Sequence, residues 1–437
     1  MNKLLKNFKG NKLNVQMLKG ISGTFVLNGI NAILMLGLSI IIARNLRAEN
    51  YGIYVFIISV VTLLGIPTKV GLSALIVRET VKYQLNKKWS YLHGLLTVVN
   101  IFVISFSILI AIITASVAWW LWGEEQNVKT ITLFWALLSL PLIAFANIRG
   151  ATLRGLGKII QGLLPNEIVY PLVMLLLFGA ALWLGNQLTP VVAIQYRIIA
   201  ATVAFVVGIF MLSRALPKKI FQTKRVYKLK IWGASLLSLS LFQGLKIVNS
   251  EFMFVIIGFL SSAENVGLYK VANSGSLLVM FGQLTINATL APQIVKFYNV
   301  HKIKKLQRII TLTTRFVVVI SLPVALVFVF FSEQLIEFLF GSEYRAAGIA
   351  LTILALGQLL NTLVGPAMLV LNMTGHEKIN VKGIILALVL NIVLSLILIP
   401  LYGLVGAAIA AATSLTVWKV VLAWWTYKYT GLKLFIR

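Results

Sequence analysis

Three polar residues in one long apolar stretch have the spacing of a single helical face. Gln243, Lys246 and Ser250 stand at positions i, i+3 and i+7 in a stretch that runs from 232 to 260, and residues with these spacings lie on the same side of a helix. Lys246 is in the middle of the stretch. Its ammonium group could bind an anion, while the amide and the hydroxyl could bind neutral polar groups. The stretch therefore predicts a polar helix face that lines a cleft, with hydrogen bonding between packed helices as the alternative.

Two other apolar stretches contain polar residues with similar spacing. Asn28 and Asn31 lie in the first apolar stretch and are three residues apart. A later stretch has polar residues at positions i, i+3, i+10 and i+14, namely Asn273, Ser276, Gln283 and Asn287. On a helix these four share one face. They are further ligand-binding candidates, with hydrogen bonding between packed helices as the alternative.

Four more charged residues within apolar sequence are isolated candidates. Lys69 and Arg197 could meet an anionic ligand, or could extend to the aqueous boundary. Glu251 follows Lys246 by five residues, which is about 140° around a helix, so a same-face ion pair is not expected. Glu167 and Glu251 could each bind a cation, pair with a base, or be protonated.

Residue types that catalysis or metal binding would need are missing or scattered. The chain has no Cys and no Asp, and its three His are far apart, at His93, His301 and His376. Thiolate metal sites and Cys nucleophiles are therefore excluded. No GxxxxGK[ST] phosphate loop is present, so direct use of ATP is not predicted. We expect no catalytic residue, no metal site and no organic cofactor.

The elements that carry the candidates are long apolar segments. Of the 437 residues, 59% are hydrophobic and 11% are charged, whereas soluble proteins have roughly 25% charged residues. A helix of about 20 apolar residues crosses the hydrocarbon core of a bilayer. Twelve runs are long enough, and they are 18–43, 51–77, 92–122, 130–148, 160–184, 190–212, 232–260, 269–292, 311–332, 346–371, 381–399 and 403–427. The last two are divided at the turn-like sequence Pro400-Leu401-Tyr402-Gly403. The sequence therefore predicts an all-α polytopic membrane protein with twelve transmembrane helices.

The net charge is +28, and the positions of the positive charges along the chain indicate how the protein is oriented in the membrane. Thirty of the 39 Lys and Arg residues lie at the termini or in even-numbered connections between the runs, as the positive-inside rule requires of cytoplasmic segments. Arg149 is assigned to one of these connections, and Lys419 is expected to extend to the headgroups on the same side. Both termini are therefore predicted to be cytoplasmic, and no cleaved signal peptide is expected. Nucleic acid is not a predicted partner, because no folded polar domain is available to bind it.

A repeated motif connects two parts of the chain. Residues 48–54 (AENYGIY) recur as 263–269 (AENVGLY), an offset of 215. Residues 122–125 (WGEE) have a weaker counterpart at 340–343 (FGSE). All of these segments lie at the ends of predicted spans. The repeat therefore predicts that the chain is built from two similar bundles.

The repeat predicts two halves and a cleft between them. The halves are 1–212 and 231–437, each with six helices, joined by the basic cytoplasmic connection 213–230. An even number of spans in each half makes the repeats parallel, so their pseudo-twofold axis runs along the membrane normal, as in transporters that bind substrate between halves. The offset aligns Gln243 with Asn28 and Lys246 with Asn31. We therefore expect both helices to line one cleft; a purely structural duplication is the alternative.

Motifs at the ends of the spans resemble those of one known family. The likeness is carried by residues 44–52 (RNLRAENYG), 67–72 (PTKVGL), 78–79 (RE), 153–158 (LRGLGK) and 339–344 (LFGSEY). On these motifs the chain resembles the oligosaccharide (Wzx-type) flippases, polysaccharide exporters of the multidrug/oligosaccharidyl-lipid/polysaccharide (MOP) superfamily. The likeness covers nearly the whole chain. Its motifs lie at helix caps and turns, so they identify the family but not the sugar.

The resemblance implies a V-shaped bundle of twelve helices in the bacterial inner membrane. It implies a transporter and not an enzyme, with an undecaprenyl-pyrophosphate-linked oligosaccharide as substrate: a repeat unit of O-antigen, capsule or exopolysaccharide, as in lipopolysaccharide biosynthesis. The oligosaccharide would pass from the cytoplasmic to the periplasmic leaflet by alternating access, coupled to a gradient of Na+ or H+. A polysaccharide polymerase and a chain-length regulator are the implied protein partners.

Two alternatives remain open. A cation-coupled multidrug exporter of the same superfamily would need carboxylates within its spans to hold cations and cationic drugs, whereas the spans contain four basic and two acidic residues. A membrane-embedded glycan polymerase would need a long periplasmic loop, and the longest odd-numbered connection has only about 13 residues.

Overall fold

The computed structural model describes residues 12–122, 128–185, 187–217, 220 and 222–434, and within this part of the chain all regular structure is helical. Both extreme termini lie outside the described residues. So do residues 123–125 of the weaker repeat, and Lys218 and Lys219 of the basic connection. The predictions for these positions are therefore not examined by the structure.

The described helices follow one another with short connections. In chain order the α-helices are α1 (Lys12–Leu64), α2 (Ile66–Lys69), α3 (Leu72–Leu85), α4 (Trp89–Trp122), α5 (Val128–Leu137), α6 (Ser139–Gly155), α7 (Ile159–Leu164), α8 (Tyr170–Trp183), α9 (Pro190–Ala215), α10 (Leu229–Leu260), α11 (Ala263–Ser276), α12 (Phe281–Asn299), α13 (Ile303–Phe340), α14 (Ala347–Leu363), α15 (Ala367–Met373) and α16 (Glu377–Thr430). A π-helical turn, Pro165–Val169, joins α7 to α8, and 3₁₀ turns occupy Leu277–Met280 and Ser342–Tyr344.

The first and last helices are each interrupted by one residue with non-helical backbone angles. Helix α1 has 53 residues and would be about 80 Å long if straight, far more than the hydrocarbon core of about 30 Å. Arg47 breaks it with φ 61° and ψ 166°. Gly403 breaks α16 with φ 53° and ψ −124°. Each helix therefore supplies two spans, and the predicted division at Pro400–Gly403 is confirmed.

The span count agrees with the sequence. Among the described residues, eight helices are long and apolar enough to cross a membrane, or nine when the pair α14 and α15, bent by 42°, is counted as one span. The breaks at Arg47 and Gly403 add two spans, and α11 with α12 adds one. The protein is therefore a multi-pass membrane protein, and the predicted all-α fold with twelve transmembrane helices is confirmed.

Backbone contacts divide the chain into two compact units. The first unit comprises Met1–Ile42 and Val61–Gly244, and the second comprises Ala43–Val60 and Leu245–Arg437. In the first unit, Trp232 Nε1 donates a 3.0 Å hydrogen bond to the Tyr83 hydroxyl, within a cluster of buried apolar residues from α3, α4 and α6. The predicted halves 1–212 and 231–437, with the connection 213–230, are defined by the sequence repeat and stay a prediction.

The second unit brings the two copies of the main repeat together. Gly52 of the first copy packs against Ala263 of the second, and Gly267 of the second packs against Ala48 of the first. Small residues allow two helix backbones to approach closely, which supports association where surrounding lipid is as apolar as the side chains. A second buried apolar cluster, contributed by α12, α13, α15 and α16, completes this unit.

Candidate functional site

The predicted polar face of α10 is accessible. The side chains of Gln243, Lys246 and Ser250 are all exposed. The Ser250 hydroxyl donates to the carbonyl oxygen of Ile247 at 2.9 Å. Lys246 is fourteen residues from each end of the 232–260 stretch, or about 21 Å along the helix, and it forms no ion pair with any described residue. The face therefore presents an unpaired cation near the middle of a span.

A cavity of about 260 Å³ begins one turn after Lys246, within the second unit. Asn249 and Ser250 border it from α10, and Asn273 borders it from α11. The remaining polar side chains come from α14 and from both parts of α16, namely Gln358, Asn391 and Ser414. Three aromatic residues complete the wall, namely Phe254, Tyr269 and Trp418. Two predicted candidates, Ser250 and Asn273, therefore lie at one cavity.

The amides of this cavity retain unused hydrogen-bonding groups. Asn391 accepts a 3.3 Å hydrogen bond from Ser395, and Gln358 accepts a 3.0 Å hydrogen bond from Asn361, so only their oxygens are engaged. The side-chain amides of Asn249 and Asn273 form no hydrogen bond with a described residue. A side-chain amide offers two N–H donors. The cavity is therefore rich in neutral donors that are free to meet a ligand.

The four polar residues that were predicted to share one helical face, Asn273, Ser276, Gln283 and Asn287, lie in two separate places. Asn273 borders the large cavity, and buried Ser276 donates to the Asn273 carbonyl oxygen at 2.9 Å. Gln283 Nε2 donates to the Gly365 carbonyl oxygen at 3.4 Å, and with Asn287 it borders a separate space of about 10 Å³, which suits a single water. The 3₁₀ turn Leu277–Met280 interrupts the α-helical period between the two pairs, because a 3₁₀ turn advances differently per residue.

The two Asn residues of the first span have different environments. Asn28 is exposed. Asn31 is half-buried, and its Nδ2 donates to the backbone carbonyl oxygen of Glu167 at 2.8 Å, which connects α1 to the π-helical turn Pro165–Val169 within the first unit. The predicted cleft that would combine these residues with Lys246 stays a prediction, since they belong to different units.

The two acidic residues within spans have separate partners. Glu251 Oε2 accepts a 2.8 Å hydrogen bond from the hydroxyl of Ser59, which is buried. This carboxylate therefore has a partner other than Lys246. Glu167 lies in the π-helical turn, within electrostatic range of Arg154, but forms no ion pair with a described residue. Insertions of this kind into α-helices are frequent at functional sites.

The two weaker basic candidates contact groups of the first unit. Arg197 Nη1 donates to the Tyr170 hydroxyl at 3.1 Å, and its guanidinium lies 5.9 Å from the centre of that ring. Lys69 is half-buried in the four-residue helix α2, with its Nζ close to Gly65. Neither residue is freely accessible in the way that Lys246 is.

Two basic residues are buried where the sequence predicted contact with water. Lys419 was expected to extend to the headgroups, but it is only 8% exposed, with Nζ 5.3 Å from the centre of the Trp418 ring. Arg149 was assigned to a connection, but it is 7% exposed and donates to the carbonyl oxygens of Phe145 and Phe205. The reason for the second error is that α6 continues to Gly155, so Arg149 lies within the helix.

The motifs that carried the family resemblance contact each other in the second unit. Arg44 donates to the carbonyl oxygens of Phe338 and Leu339 at the end of α13, where a cation is favourable. The Tyr344 hydroxyl donates to the carbonyl oxygen of Ala43 at 2.8 Å, and burial raises the pKa of Tyr344. These hydrogen bonds therefore connect the segment 44–52 to the segment 339–344, and the role of the two motifs is structural.

Sequence reasoning missed most of the cavity. Gln358 and Asn391 lie in apolar runs without nearby charges, whereas Asn249 lies between Lys246 and Glu251 but outside the spacing of Gln243, Lys246 and Ser250. Polar residues within transmembrane helices tend to face the interior of a bundle. A search for every amide in the spans would have found them, but not their grouping.

Comparisons with known proteins agree on the class of protein. A model of the family described as "Polysaccharide biosynthesis protein" matches residues 41–349. The chain is 25% identical over 249 residues to the "Probable low-salt glycan biosynthesis flippase Agl15" of Haloferax volcanii, covering 55% of this chain and 50% of that protein. It is 28% identical over 172 residues to the "Probable flippase AglR" of the same organism, covering 38% and 35%. The chain thus matches half or less of the length of these relatives.

Two solved structures have the same fold. An inward-facing multidrug resistance transporter of the MATE family, in the MOP superfamily, aligns with a TM-score of 0.77 at 13% identity, covering 92% of this chain and 94% of that chain. The lipid II flippase MurJ, in an inward closed conformation, aligns with a TM-score of 0.71 at 14% identity, covering 94% and 87%. At these identities the likeness shows the fold alone.

Proposed function

Because the chain belongs to the family of polysaccharide biosynthesis proteins, we propose that it is a flippase that moves a lipid-linked oligosaccharide across the membrane. The relatives from Haloferax volcanii are named as flippases, one of them in glycan biosynthesis. A lipid-linked oligosaccharide has an anionic phosphate group, a hydrated glycan and a lipid tail. Its passage needs a path that offers a cation and polar groups within the hydrocarbon region.

The observation that carries this proposal is the environment of Lys246. Its side chain is exposed, unpaired and in the middle of a span. An ionisable residue at this depth is expensive and is by default a functional one. Anionic phosphate oxygens are strong partners for such an ammonium group. We therefore assign to Lys246 the binding of the substrate phosphates.

The finer parts of the proposal concern the substrate and the energy source. The substrate is an undecaprenyl-pyrophosphate-linked repeat unit of a surface polysaccharide, which passes from the cytoplasmic to the periplasmic leaflet by alternating access. Lys69 and Arg197 are secondary contacts for its phosphates. Glu167 or Glu251 couples the inward movement of Na+ or H+ to export. The membrane is the bacterial inner membrane, both termini are cytoplasmic, and a polymerase and a chain-length regulator act with the protein.

The alternative function is cation-coupled export of drugs. A site for cationic drugs needs accessible carboxylates, and the carboxylate of Glu251 is hydrogen-bonded to buried Ser59. The neutral lining of the large cavity also offers a cationic drug no counter-charge. These observations favour the anionic substrate.

Substitution of Lys246 tests the assignment in cells. In a host strain whose own flippase has been deleted, Lys246→Ala should reduce surface polysaccharide by about 10- to 100-fold relative to the unsubstituted chain, the loss expected for one charge-assisted hydrogen bond. Lys246→Arg should retain part of the activity. The matched control is Lys304→Ala, because Lys304 is exposed at the start of α13. Equal polysaccharide from Lys246→Ala and Lys304→Ala, at equal amounts in the membrane, would reject this role for Lys246.

A further inference from the structure

The cavity of the second unit has a polar lining without any charge. Its polar residues are Asn249, Ser250, Asn273, Gln358, Asn391 and Ser414, and none of its lining residues is Lys, Arg, Asp or Glu. An ionised group that leaves water needs an opposite charge to compensate for its lost hydration. A phosphate is therefore disfavoured in the cavity. A metal cation is disfavoured as well, because no carboxylate lines the cavity and the carbonyl oxygens of Gln358 and Asn391 already accept hydrogen bonds. The lining suits a neutral ligand.

The free amide groups indicate how polar that ligand is. The N–H groups of Asn249 and Asn273 have no acceptor among the described residues, and the amides of Gln358 and Asn391 use only their oxygens. An apolar ligand would leave these groups without hydrogen-bond partners. A site lined by such groups therefore binds an apolar ligand poorly. A ligand with several hydroxyl or carbonyl oxygens would satisfy them.

The aromatic residues add a second kind of contact. Phe254, Tyr269 and Trp418 border the same cavity. A sugar ring has apolar C–H faces that pack on aromatic rings, and hydroxyls at its edge that both donate and accept hydrogen bonds. Amides and aromatics in one cavity match both parts of such a ring.

We propose that this cavity is a binding subsite for one neutral sugar ring of the transported glycan, a deeper statement that rests on the proposed flippase function. Its volume of about 260 Å³ lies just below the range of about 300–1,000 Å³ for sites of drug-sized ligands, so it holds one ring and not a lipid-linked chain. Lys246 precedes Asn249 by one helical turn. The charged head group and the first sugar therefore bind to adjacent positions of α10.

A binding experiment with two lipids tests the subsite. Purified full-length protein in nanodiscs is titrated with bare undecaprenyl pyrophosphate and with undecaprenyl pyrophosphate carrying one hexose or one N-acetylhexosamine. The unsubstituted chain should bind at least one glycosylated lipid more tightly than the bare lipid. Asn249→Ala and Asn391→Ala should each weaken binding of that glycosylated lipid by about three- to tenfold and leave the affinity for the bare lipid unchanged. Asn100→Ala, at an exposed asparagine of α4, is the matched control and should change neither.

The chain has no cysteine, so a single introduced thiol can be labelled selectively. Protection of that thiol by the ligand is a second measurement, and it does not depend on loss of affinity. Asn273→Cys introduces a single thiol at the cavity, and Ser213→Cys introduces one at an exposed position of α9. The glycosylated lipid should slow the reaction of Cys at 273 with a water-soluble maleimide, and the bare lipid should not. Labelling at 213 should be unaffected by either lipid.

The possible outcomes distinguish failure of the sugar subsite from failure of the proposed flippase function. Equal losses for bare and glycosylated lipid, or no loss in Asn249→Ala and Asn391→Ala, would overturn the subsite while the flippase function stands. Stabilisation of the unsubstituted protein by Na+ that disappears in Asn391→Ala would also overturn it, because the cavity would then be a cation site. Failure of the unsubstituted protein to bind either lipid would instead reject the proposed function.

Discussion

Gly52 and Gly267, which hold the same position in the two copies of the repeated motif, pack against each other's helix. A side chain at Gly52 would overlap the carbonyl oxygen of Ala263, and one at Gly267 would overlap that of Ala48. The contact is reciprocal: each glycine meets the residue that begins the other copy. Such self-complementary contacts are typical of twofold-related surfaces. The repeat detected in the sequence is therefore also a packing surface.

The first prediction concerns this helix contact. Gly52→Ala should destabilise the protein by about 2 kcal/mol or more, because the added methyl group overlaps backbone atoms that cannot move aside without separating the helices. The measurement is thermal unfolding in detergent followed by intrinsic fluorescence. Gly37→Ala is the control: it lies in the same helix with nothing within 4 Å of the added carbon and should be neutral or slightly stabilising. Equal melting temperatures for the two variants would contradict the close contact.

The second prediction compares two arginines that each lie over a phenylalanine ring. Arg149 is 3.8 Å from the centre of the Phe205 ring and buried, whereas Arg214 is 4.0 Å from that of Phe210 and exposed. Arg149→Ala should cost about 2–4 kcal/mol, because it removes desolvated hydrogen bonds and a buried cation–π contact. Arg214→Ala should cost about 1 kcal/mol or less.

Thermal unfolding of both variants measures that difference. A larger fall in melting temperature for Arg214→Ala than for Arg149→Ala would show that burial does not decide how much these contacts contribute to stability.

The third prediction concerns energy coupling. If Glu167 or Glu251 binds the coupling cation, the combined variant Glu167→Gln/Glu251→Gln should lose the dependence of transport on a Na+ or H+ gradient. Ser59→Ala should weaken coupling through Glu251 alone, because it removes the hydroxyl that donates to that carboxylate. Glu264→Gln, at an exposed position of α11, is the control. Unchanged transport with unchanged ion dependence in the double variant would refute the assignment.

Features that follow from hydrophobicity and turn chemistry could be predicted from the sequence. The twelve spans follow from apolar runs, and the division of α16 follows from the turn-like sequence that ends at Gly403. The resemblance drawn from residues 44–52 and 339–344 is confirmed by the family match over 41–349. The motif at 48–54 and 263–269 was visible as a repeat, although its packing against itself was not.

Features that depend on packing between helices could not be predicted. The location of Arg149 depended on where α6 ends, and an arginine is tolerated at a buried position only because neighbouring carbonyl oxygens accept its hydrogen bonds. The stripe from Asn273 to Asn287 assumed a continuous α-helix, which the 3₁₀ turn Leu277–Met280 interrupts. The cavity is formed by residues from four helices, and no local spacing records that Asn391 lies near Asn249.

Translocation in proteoliposomes tests the central claim most directly. The full chain is reconstituted, a polyprenyl-pyrophosphate-linked oligosaccharide is placed in one leaflet, and its arrival in the other is followed by its accessibility to an added glycosidase. The proposed function predicts transfer well above that in protein-free vesicles, with Lys246→Ala close to the protein-free rate and Lys304→Ala unchanged. Transfer of the oligosaccharide lipid no faster than in protein-free vesicles, together with export of a cationic dye by the same preparation, would contradict it and identify a drug exporter instead.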